Sequence, residues 1–405
     1  MAPKRVLFLS YNGALEPIFQ SQGLPYLKRL ARAGVFIVLL TFEKKEDLRR
    51  VDPTGLHAFQ RGLEEEGIAW HWSRYHKWPP LLSTFFDATV GFVRGWFLGR
   101  RYAIDLIHVR GSIPAGFGWA VSRLLKKPFL FDVRGFLAEE YADGGIWRRG
   151  GMVFHLVSRL ERFFLEAANG IVVLTHRAFS YLKQQRFAAK DVPIIVIPCC
   201  VDLQRFEIEK SQKDLSRREN FVLTYVGSLG TWYLLEPMLH FYQILKEKIP
   251  NASFHILTQT SSPALSGALR RFSNDGIVLR RVDYEEIPSA LSSAKAGISF
   301  IKPVFSKMAS SPVKVGEYLA SGLPVILNPD VGDTETLIRE NRVGIIVPHF
   351  DRDSYREAVE GLLELLKEGK ELSERCRRVA TSHLSLEEGA KRYHEMYEKL
   401  LTRVS

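Results

Sequence analysis

The chain has 405 residues, which is too long for one hydrophobic core and predicts two domains. Its composition, 46% hydrophobic and 25% charged, is typical of a globular protein and excludes a disordered or fibrous chain. The formal net charge of +11 falls in the first half: residues 1–205 hold 29 lysines and arginines against 18 aspartates and glutamates, whereas residues 206–405 hold 27 of each. We therefore expect the first domain to meet an anionic partner, a membrane surface or a phosphorylated lipid rather than nucleic acid.

The sequence predicts a protein that is made and kept in the cytoplasm. The apolar run near the N-terminus is too short for a signal peptide, and no uncharged run approaches membrane-spanning length. Three cysteines (Cys199, Cys200 and Cys376) lack metal-ligand or disulfide spacing and are interpreted as packing residues. Asp351 and Asp353 are interpreted as a surface turn, so no metal and no cofactor is predicted.

The chain opens with a βαβ pattern. Residues 6–10 form an apolar strand, a turn follows at Gly13, residues 22–33 have helical spacing, and residues 35–41 form a second strand. Helices are predicted at residues 117–125 and 153–168. Further strands are predicted at residues 68–72, 106–109, 129–131, 171–174 and 194–197. This alternation predicts a doubly wound parallel sheet, which binds ligands beyond the carboxyl ends of its strands.

A second alternating series follows a polar, charge-dense segment that we interpret as the inter-domain linker. The tail has the apolar spacing of a long amphipathic helix at residues 386–401. The strands of this series are predicted at residues 222–226, 254–257, 278–279, 297–300, 325–327 and 345–347. The predicted domains are residues 1–205, a linker at 206–220, residues 221–382 and a C-terminal helix at 383–405.

Residues 310–327, SSPVKVGEYLASGLPVIL, predict a helix followed by a buried strand. Ser310 and Ser311 are good N-caps, Pro312 fits the first helical position, and Gly322 fits the left-handed position after the last turn. The helix is therefore predicted over residues 312–321.

Two side chains near the start of this helix predict a nucleotide-sugar site. Lys314 and Glu317 are three residues apart and share one face, at the helix end that favours an anion. The helix end and Lys314 would hold a diphosphate, and Glu317 would accept hydrogen bonds from ribose hydroxyls. The alternative is an ordinary helix with a solvated lysine and glutamate.

A glycine-containing loop, GSLGT, follows the first strand of the second series. Gly227, Ser228, Gly230 and Thr231 would let backbone N–H groups approach a phosphate, although many such loops are tight turns. Thr258 ends the next strand and is predicted to contact the nucleotide base, unless it belongs to a surface loop.

Residues 70–102 combine aromatic rings with cations. Such a stretch suits the headgroup interface of a bilayer or a lipid-linked acceptor, and the alternative is a buried helix with a basic rim. The residues assigned to this face are Trp70, Trp72, Arg74, Trp78, Trp96, Arg100 and Arg101.

Four features in this order resemble the retaining nucleotide-sugar glycosyltransferases of family 4. Residues 196–206, VIPCCVDLQRF, are similar to the IPNGVDxxxF segment of that family, and residues 317–326, EYLASGLPVI, resemble its EAMAxGxPVI motif. The Gly227 loop and the closing helix are the other two. The resemblance implies an α/β protein of the GT-B fold, with two Rossmann-like domains and a C-terminal helix that crosses back to the first.

The resemblance also implies an activity. A hexosyl-type sugar would pass from a nucleotide-diphosphate donor to a glycan or lipid-linked acceptor, with retention at the anomeric carbon and without a metal. Glu317 matches the family glutamate that holds the donor ribose, but Ala309 stands where its partner glutamate is expected. The arginine and lysine that often follow the first glycine of the second domain are missing too. Lys314 is then expected to balance the diphosphate, with Lys302 and Lys307 as alternatives.

In the first domain, residues 107–111, IHVRG, resemble a family strand that ends in HxH or HxR and carries His108 and Arg110 to the acceptor side. Residues 128–135, PFLFDVRG, place Asp132 and Arg134 where relatives have residues facing the reacting sugar. Arg134 stays charged, so it would bind a phosphate or orient a hydroxyl rather than carry a proton.

Asp132, with Glu139 or Glu140, is predicted to receive the proton of the acceptor hydroxyl. The alternative is a structural Asp–Arg pair at a strand end. Gly13 would let the backbone come close to the donor, as similar loops do in this fold.

Two other functions stay open at this stage. Ala309 and the missing cations fit a non-catalytic nucleotide-sugar-binding or scaffold protein of the same fold. A nucleotide-sugar epimerase is disfavoured because it needs no acceptor face. Nucleic-acid binding is not expected, because no helix-turn-helix or zinc-finger signature accompanies the charge.

Overall fold

The structure, a computed structural model, describes residues 3–188, 191–206, 220–259, 267, 269, 271–272 and 275–402. It divides into two compact units, Met1–Pro198 together with Leu386–Ser405, and Cys199–Ser385. Most of the predicted linker, residues 207–219, lies outside the described residues.

The first unit is built on a parallel sheet of seven strands. These are β1 (Lys4–Ser10), β2 (Val35–Glu43), β3 (Ile68–Arg74), β4 (Leu106–Arg110), β5 (Phe129–Asp132), β6 (Gly170–Val173) and β7 (Ile194–Val196). Their spatial order is β3-β2-β1-β4-β5-β6-β7, so the chain winds outward in both directions from β1. In β1, Val6 pairs with Ile37 on one side and with Leu106 on the other. The predicted doubly wound sheet is confirmed.

Helices connect these strands. They are α1 (Pro17–Gln22), α2 (Leu24–Arg32), α3 (Lys45–Leu48), α4 (Pro53–Glu65), α5 (Pro80–Arg101), α6 (Ser112–Leu125), α7 (Leu137–Asp143), α8 (Met152–Ala167) and α9 (His176–Gln184). Side-chain caps begin two of them: Asp52 accepts from Gly55 N, and Thr175 accepts from Ala178 N.

Helix α5 packs closely against α6. A Cβ at Gly91 would lie 3.0 Å from the Phe117 ring, and one at Gly99 would lie 2.4 Å from a Leu125 methyl. Residues with no side chain at this spacing let the two helices approach, so this side of α5 is fixed against the protein and the opposite side faces out.

The second unit contains six parallel strands in the order β10-β9-β8-β11-β12-β13. The strands are β8 (Val222–Val226), β9 (Ser253–Leu257), β10 (Ile277–Arg280), β11 (Ala296–Ser299), β12 (Val325–Leu327) and β13 (Gly344–Ile346). The named helices are α10 (Leu235–Lys248), α11 (Ile287–Leu291), α12 (Val313–Ala320), α13 (Thr334–Asn341), α14 (Arg352–Leu366) and α15 (Lys370–His383). The two central strands, β8 and β11, are buried throughout and mostly apolar, with Thr224 and Ser299 as buried polar residues, as expected for a sheet covered on both faces.

The last helix, α16 (Leu386–Thr402), belongs to the first unit. The Tyr393 ring packs edge-on against Tyr26 of α2, with centroids 5.5 Å apart. The Tyr397 hydroxyl lies 2.6 Å from Nδ1 of His108, the central residue of β4. The predicted return of the C-terminal helix to the first domain is confirmed.

Candidate active site

Helix α12 begins one residue later than predicted. Pro312, in an extended conformation, is the N-cap and makes no side-chain cap, and Val313 is the first helical residue. Ser311 is not a cap, because its Oγ accepts a hydrogen bond from Cys199 N at 3.0 Å. Ser310 lies in an extended conformation at the end of the preceding 3-10 turn, Phe305–Ala309, and caps nothing in α12. Gly322 does take the predicted left-handed conformation, with φ of 74°.

Lys314 lies inside the second unit and is only 4% exposed. Its Nζ donates to the Tyr225 hydroxyl at 3.1 Å, and Tyr225 in turn donates to the Ser228 carbonyl at 2.6 Å. The same Nζ lies 3.5 Å from the ring centroid of Tyr233 and 4.4 Å from that of Tyr225. Two aromatic rings and a hydroxyl therefore hold the ammonium group, and no carboxylate among the described residues forms an ion pair with it.

Gly227 lies against this lysine. It has φ of 127°, and a Cβ placed there would lie 2.9 Å from Lys314 Nζ. Its own N–H donates to the Leu257 carbonyl at 2.9 Å, so that group is committed to the backbone. The structure brings Gly227 and Lys314 together, and the positive φ and the nearby ammonium group both favour a glycine here. Contact of this loop with a phosphate stays a prediction.

Glu317 follows Lys314 by one turn and is also buried. Burial raises the pKa of Glu317 to about 7, although the charges of Arg205 and Lys314 lower it in part. Burial lowers the pKa of Lys314 to about 7, and only the charge of Glu317 raises it in part. Both groups are thus poised to change charge near neutral pH when a charged ligand arrives.

Arg205 is a further cation near this pair. Its guanidinium carbon lies 3.5 Å from the Tyr284 ring centroid, and Nη2 donates to the Tyr284 carbonyl. The buried Nη1 has no hydrogen-bond partner within the described part of the chain. The sequence prediction omitted Arg205, whose only signal was its place in the VDLQRF segment.

The other predicted donor residues differ in exposure. Ser228, Gly230 and Thr231 are exposed beyond the Gly227 turn. Thr258 is buried at the end of β9, and its N–H donates to the Arg280 carbonyl. Contact of Thr258 with a nucleotide base stays a prediction that burial of its side chain disfavours.

In the first unit, Asp132 ends β5 and is fully buried. Its Oδ2 accepts from Arg110 Nη1 at 3.1 Å and from the Tyr393 hydroxyl at 3.0 Å, and Arg134 Nη1 lies 3.5 Å from Oδ1. His108 Nε2 is 3.8 Å from Oδ2. The carboxylate therefore ties β4 and β5 to α16.

This surrounding favours a structural role for Asp132 over the predicted proton transfer. Burial raises the pKa of Asp132, but the Arg134 charge, the nearby His108 imidazole and the Arg110 charge outweigh it and hold the pKa well below its usual value. Glu139 is a better proton acceptor, because burial raises its pKa while Arg149 only partly lowers it.

Three residues assigned to the acceptor or membrane face are buried, and these assignments are corrected. Trp70 is 2% exposed, and its Nε1 donates to Thr41 Oγ1 at 2.8 Å inside the sheet layer. His108 and Arg110 point toward Asp132 rather than toward solvent. Side chains alternate between the two faces of a strand, and here α16 covers the His108 side.

The other residues assigned to the acceptor or membrane face are exposed or half-buried. Trp78 is 80% exposed just before α5, and Arg74, Arg100 and Arg101 are exposed. Trp72 and Trp96 are half-buried. The outward side of α5 is apolar and carries the exposed residues Leu81, Leu82, Phe85, Phe86, Val93 and Phe97.

Gly13 lies in a loop whose backbone N–H groups are bonded to carboxylates. Glu43 accepts from Ala14 N at 2.6 Å and Leu15 N at 3.2 Å, and Glu16 accepts from Gly13 N at 2.9 Å. A Cβ at Gly13 would lie 2.3 Å from Glu43 Oε2, which explains the glycine without a ligand. Approach of this loop to a donor stays a prediction that requires these bonds to open.

Comparison with known proteins agrees with this architecture. The family model for Glycosyltransferase Family 4 matches residues 26–205, and the model for Glycosyl transferases group 1 matches residues 220–365. Together the two matches cover most of the chain. The chain belongs to the family 4/group 1 glycosyltransferases of GT-B fold.

Solved structures similar to this GT-B glycosyltransferase share its fold at low sequence identity. Sucrose-phosphate synthase from Thermosynechococcus elongatus superposes with a TM-score of 0.73 at 17% identity, covering 99% of this chain and 100% of that one. Anabaena HepE in complex with UDP-glucose gives 0.68 at 13%, covering 98% and 99%. WaaG, a glycosyltransferase involved in lipopolysaccharide biosynthesis, gives 0.67 at 14%, covering 95% and 98%. Comparison with curated proteins gave no match.

The described residues of the glycosyltransferase contain neither a membrane-spanning helix nor a metal-ligand cluster. None of the helices there is long and apolar enough to cross a membrane. No group of three or more histidine, cysteine, aspartate or glutamate side chains in the same ranges could hold a metal ion.

Sequence reasoning missed, besides Arg205, the tyrosine that contacts Lys314. Tyr225 binds Lys314 from the middle of an apolar strand, VLTYV, where a tyrosine is ordinarily a packing residue. Only the hydroxyl could have signalled it, because a buried Tyr O–H needs a hydrogen-bond partner.

Proposed function

We propose that this glycosyltransferase moves a hexosyl group from a nucleotide-diphosphate sugar to a glycan or lipid-linked acceptor, with retention of the anomeric configuration. The second unit would hold the donor, and the first unit would hold the acceptor. The products would be precursors of a surface polysaccharide or a lipid-linked glycan.

One observation carries the donor assignment: beside a glycine turn lies a buried lysine that no carboxylate contacts within the part of the chain that the structure describes. The partners of Lys314 are two aromatic rings and a hydroxyl, and burial disfavours its charge. A diphosphate group supplies the opposite charge that this position lacks. Glu317, one turn away, can accept from two adjacent ribose hydroxyls, and Arg205 adds a second cation near the pair.

Nucleotide release tests this proposal. The chain is incubated with a panel of UDP- and GDP-sugars plus a membrane extract, and free nucleoside diphosphate and the anomeric configuration of the product are measured. We expect Lys314→Ala and Glu317→Ala to abolish release and Lys367→Ala, an exposed lysine on α14, to leave it unchanged. Full activity in both site variants would refute the assignment, and loss in Lys307→Ala alone would move the diphosphate to that lysine.

We further propose that the first unit docks peripherally on the inner face of an anionic membrane. The outward side of α5 is apolar, and α8 exposes a second apolar stripe with Arg159 and Arg162 beside it. Aromatic and aliphatic side chains flanked by arginines suit the headgroup region of a bilayer. The α8 stripe consists of Met152, Leu156, Leu160 and Phe163.

Sedimentation with vesicles tests the membrane proposal. Vesicles rich in anionic phospholipid should pellet the protein at low salt, and neutral vesicles should pellet less. Phe97→Glu should release it, whereas Val278→Glu, an exposed apolar residue of β10 in the second unit, should not. Failure to pellet with anionic vesicles would end the proposal.

A nucleotide-sugar-binding protein without transferase activity is the second candidate. Ala309 occupies the position of the family's first motif glutamate, and its methyl side chain cannot supply the carboxylate. The residue is 3% exposed. Saturable donor binding without nucleotide release, across all acceptors tested, would favour this candidate.

A further inference from the structure

A histidine and an aspartate form a pair at the carboxyl edge of the first sheet. His76 Nδ1 lies 2.6 Å from Asp87 Oδ1, and the His76 N–H donates to Asp87 Oδ2 at 3.0 Å. The Tyr11 hydroxyl, just after β1, donates to the same Oδ2 at 2.9 Å. Asp87 is fully buried on the inward side of α5, so its position and that of the imidazole are fixed.

The pair leaves one ring atom of His76 for a ligand. The side chain is 42% exposed, and Nε2 makes no hydrogen bond to any residue in the described ranges. Because Asp87 occupies Nδ1, the ring presents Nε2 outward, as in other sites where a carboxylate orients a histidine. A parallel α/β sheet binds its ligands at this edge.

Apolar and cationic surfaces adjoin His76. The Phe86 ring packs edge-on against the imidazole with centroids 5.2 Å apart and is itself 54% exposed. Leu82 and Phe85 are 70% and 74% exposed on the same helix, one turn or less away. Arg74 and Lys77 flank the histidine in the chain, are exposed, and make no ion pair within the described residues.

The charges here are of one sign at the surface. Residues 74–101 contain a single carboxylate, Asp87, and it is buried and bonded to His76. An oxygen-rich anionic group near His76 would meet Arg74 and Lys77; Glu16, whose charge also reaches Tyr75, is buried and paired with Lys44. An alkyl chain attached to that group would find the exposed side of α5 beside it.

We propose that His76, Arg74 and Lys77 bind the phosphate head of an amphipathic lipid acceptor, whose hydrocarbon lies along Leu82, Phe85 and Phe86 of α5. That this lipid phosphate is the acceptor of the reaction rests on the proposed function; the binding site itself does not. His76 acts in it as a binding and positioning residue that Asp87 orients.

Binding of decyl phosphate, at concentrations below micelle formation, tests the inference on the full chain by isothermal titration calorimetry. Inorganic phosphate and uncharged decyl glucoside are the comparison ligands. We expect decyl phosphate to bind at least about tenfold more tightly than either, because both halves of the site then contribute. Equal affinity for decyl phosphate and decyl glucoside, or for decyl phosphate and inorganic phosphate, would overturn it.

Variants test whether decyl phosphate binds at His76 and Phe85 rather than elsewhere on the protein. His76→Gln should weaken decyl phosphate binding about tenfold, and Phe85→Ser should weaken it by a similar factor. His57→Gln, an exposed histidine on α4, should change nothing. Phe85 is exposed and His76 is half-exposed, so both variants are expected to fold. Wild-type affinity in His76→Gln would overturn the inference, as would an equal loss in His57→Gln.

The two proposals can fail separately. Nucleotide-sugar binding, measured by thermal shift, should be the same in His76→Gln and wild type, because the donor residues lie in the second unit. Absence of donor binding with intact decyl phosphate binding would refute the proposed transferase reaction and leave the lipid-phosphate site standing. The reverse result would refute only the site.

Discussion

Donor binding should be coupled to protonation of Lys314. In the free protein, burial lowers the pKa of this lysine to about 7. A nucleotide-diphosphate sugar carries two negative charges on its diphosphate, and these do not change over the pH range in which Lys314 titrates, roughly pH 6 to pH 9. When the diphosphate settles beside Nζ, the charged form of Lys314 is favoured, so binding should take up a proton wherever the free lysine is neutral.

The magnitude follows from the pKa difference. Restoring the ordinary pKa of 10.5 from about 7 corresponds to roughly 5 kcal/mol of interaction with the ligand. Two phosphate charges at about 4 Å supply on the order of that much at the effective dielectric constant of a protein. Only protonated Lys314 would bind tightly. Its fraction falls from about one half at pH 7 to about 0.01 at pH 9, so affinity should weaken roughly fifty-fold.

Calorimetry in two buffers of different ionisation enthalpy measures this coupling. At about pH 8 we expect uptake of nearly one proton per donor molecule bound, with UDP-glucose as the first ligand tried. Lys314→Met should bind weakly at every pH and take up no proton. Glu317→Gln should move the profile to lower pH, because the Glu317 charge raises the pKa of Lys314. An affinity that is flat from about pH 6 to pH 9 with no proton uptake would refute the reasoning.

Three further predictions concern stability. Gly227→Ala should lower the free energy of unfolding by about 1–3 kcal/mol, because of the positive φ of Gly227 and the nearby ammonium group. Gly230→Ala should change it little, because a Cβ there meets nothing within 4 Å. Equal effects of the two variants in urea unfolding would contradict this. Asp132→Asn should cost about 3–5 kcal/mol at neutral pH, since it removes the charge of a fully buried carboxylate that accepts from Arg110 and Tyr393 and lies beside Arg134. The pKa of Asp132 in the folded protein is depressed, so the carboxylate stabilises the fold above the ordinary carboxyl pKa and this stabilisation is lost as pH falls through the depressed pKa. A cost of Asp132→Asn that stays undiminished in acid would contradict this. Tyr397→Phe should cost about 1–2 kcal/mol by removing the hydrogen bond to His108, and unchanged thermal unfolding would contradict it.

The strands were predictable because they are short apolar runs. Residues 222–226 and 325–327 were predicted as strands and are strands in the structure with the same bounds. Buried parallel strands carry apolar residues on both faces, so the run itself is the signal. The C-terminal helix was predictable too, because its apolar face repeats with the helical period.

Side-chain environment was less predictable. Trp70 was assigned to a membrane face because it stands among cations, but its neighbours across the sheet are Leu39 and the Thr41 hydroxyl. Pairing between strands that lie about thirty residues apart is not visible in a local pattern. The pairing of His76 with Asp87 depends in the same way on how α5 rests against β1 and β3.

In residues 310–327, the end of the helix was predictable from the sequence and its start was not. The C-terminal half of this segment, with Gly322 and the strand that follows, was predictable from local backbone preferences. The start of the helix was not, because Pro312 took the cap position and Ser311 bonded to Cys199 instead. The neighbours of Lys314 come from β8 and the loop after it, 89 residues away in the case of Tyr225, and only the fold brings them together.

A crystal structure of the chain with a nucleotide-diphosphate sugar bound tests the central claim most directly. The account predicts diphosphate oxygens within hydrogen-bonding distance of Lys314 Nζ and ribose hydroxyls on the Glu317 carboxylate. A nucleotide bound elsewhere, with Lys314 still held between the two tyrosine rings, would contradict it.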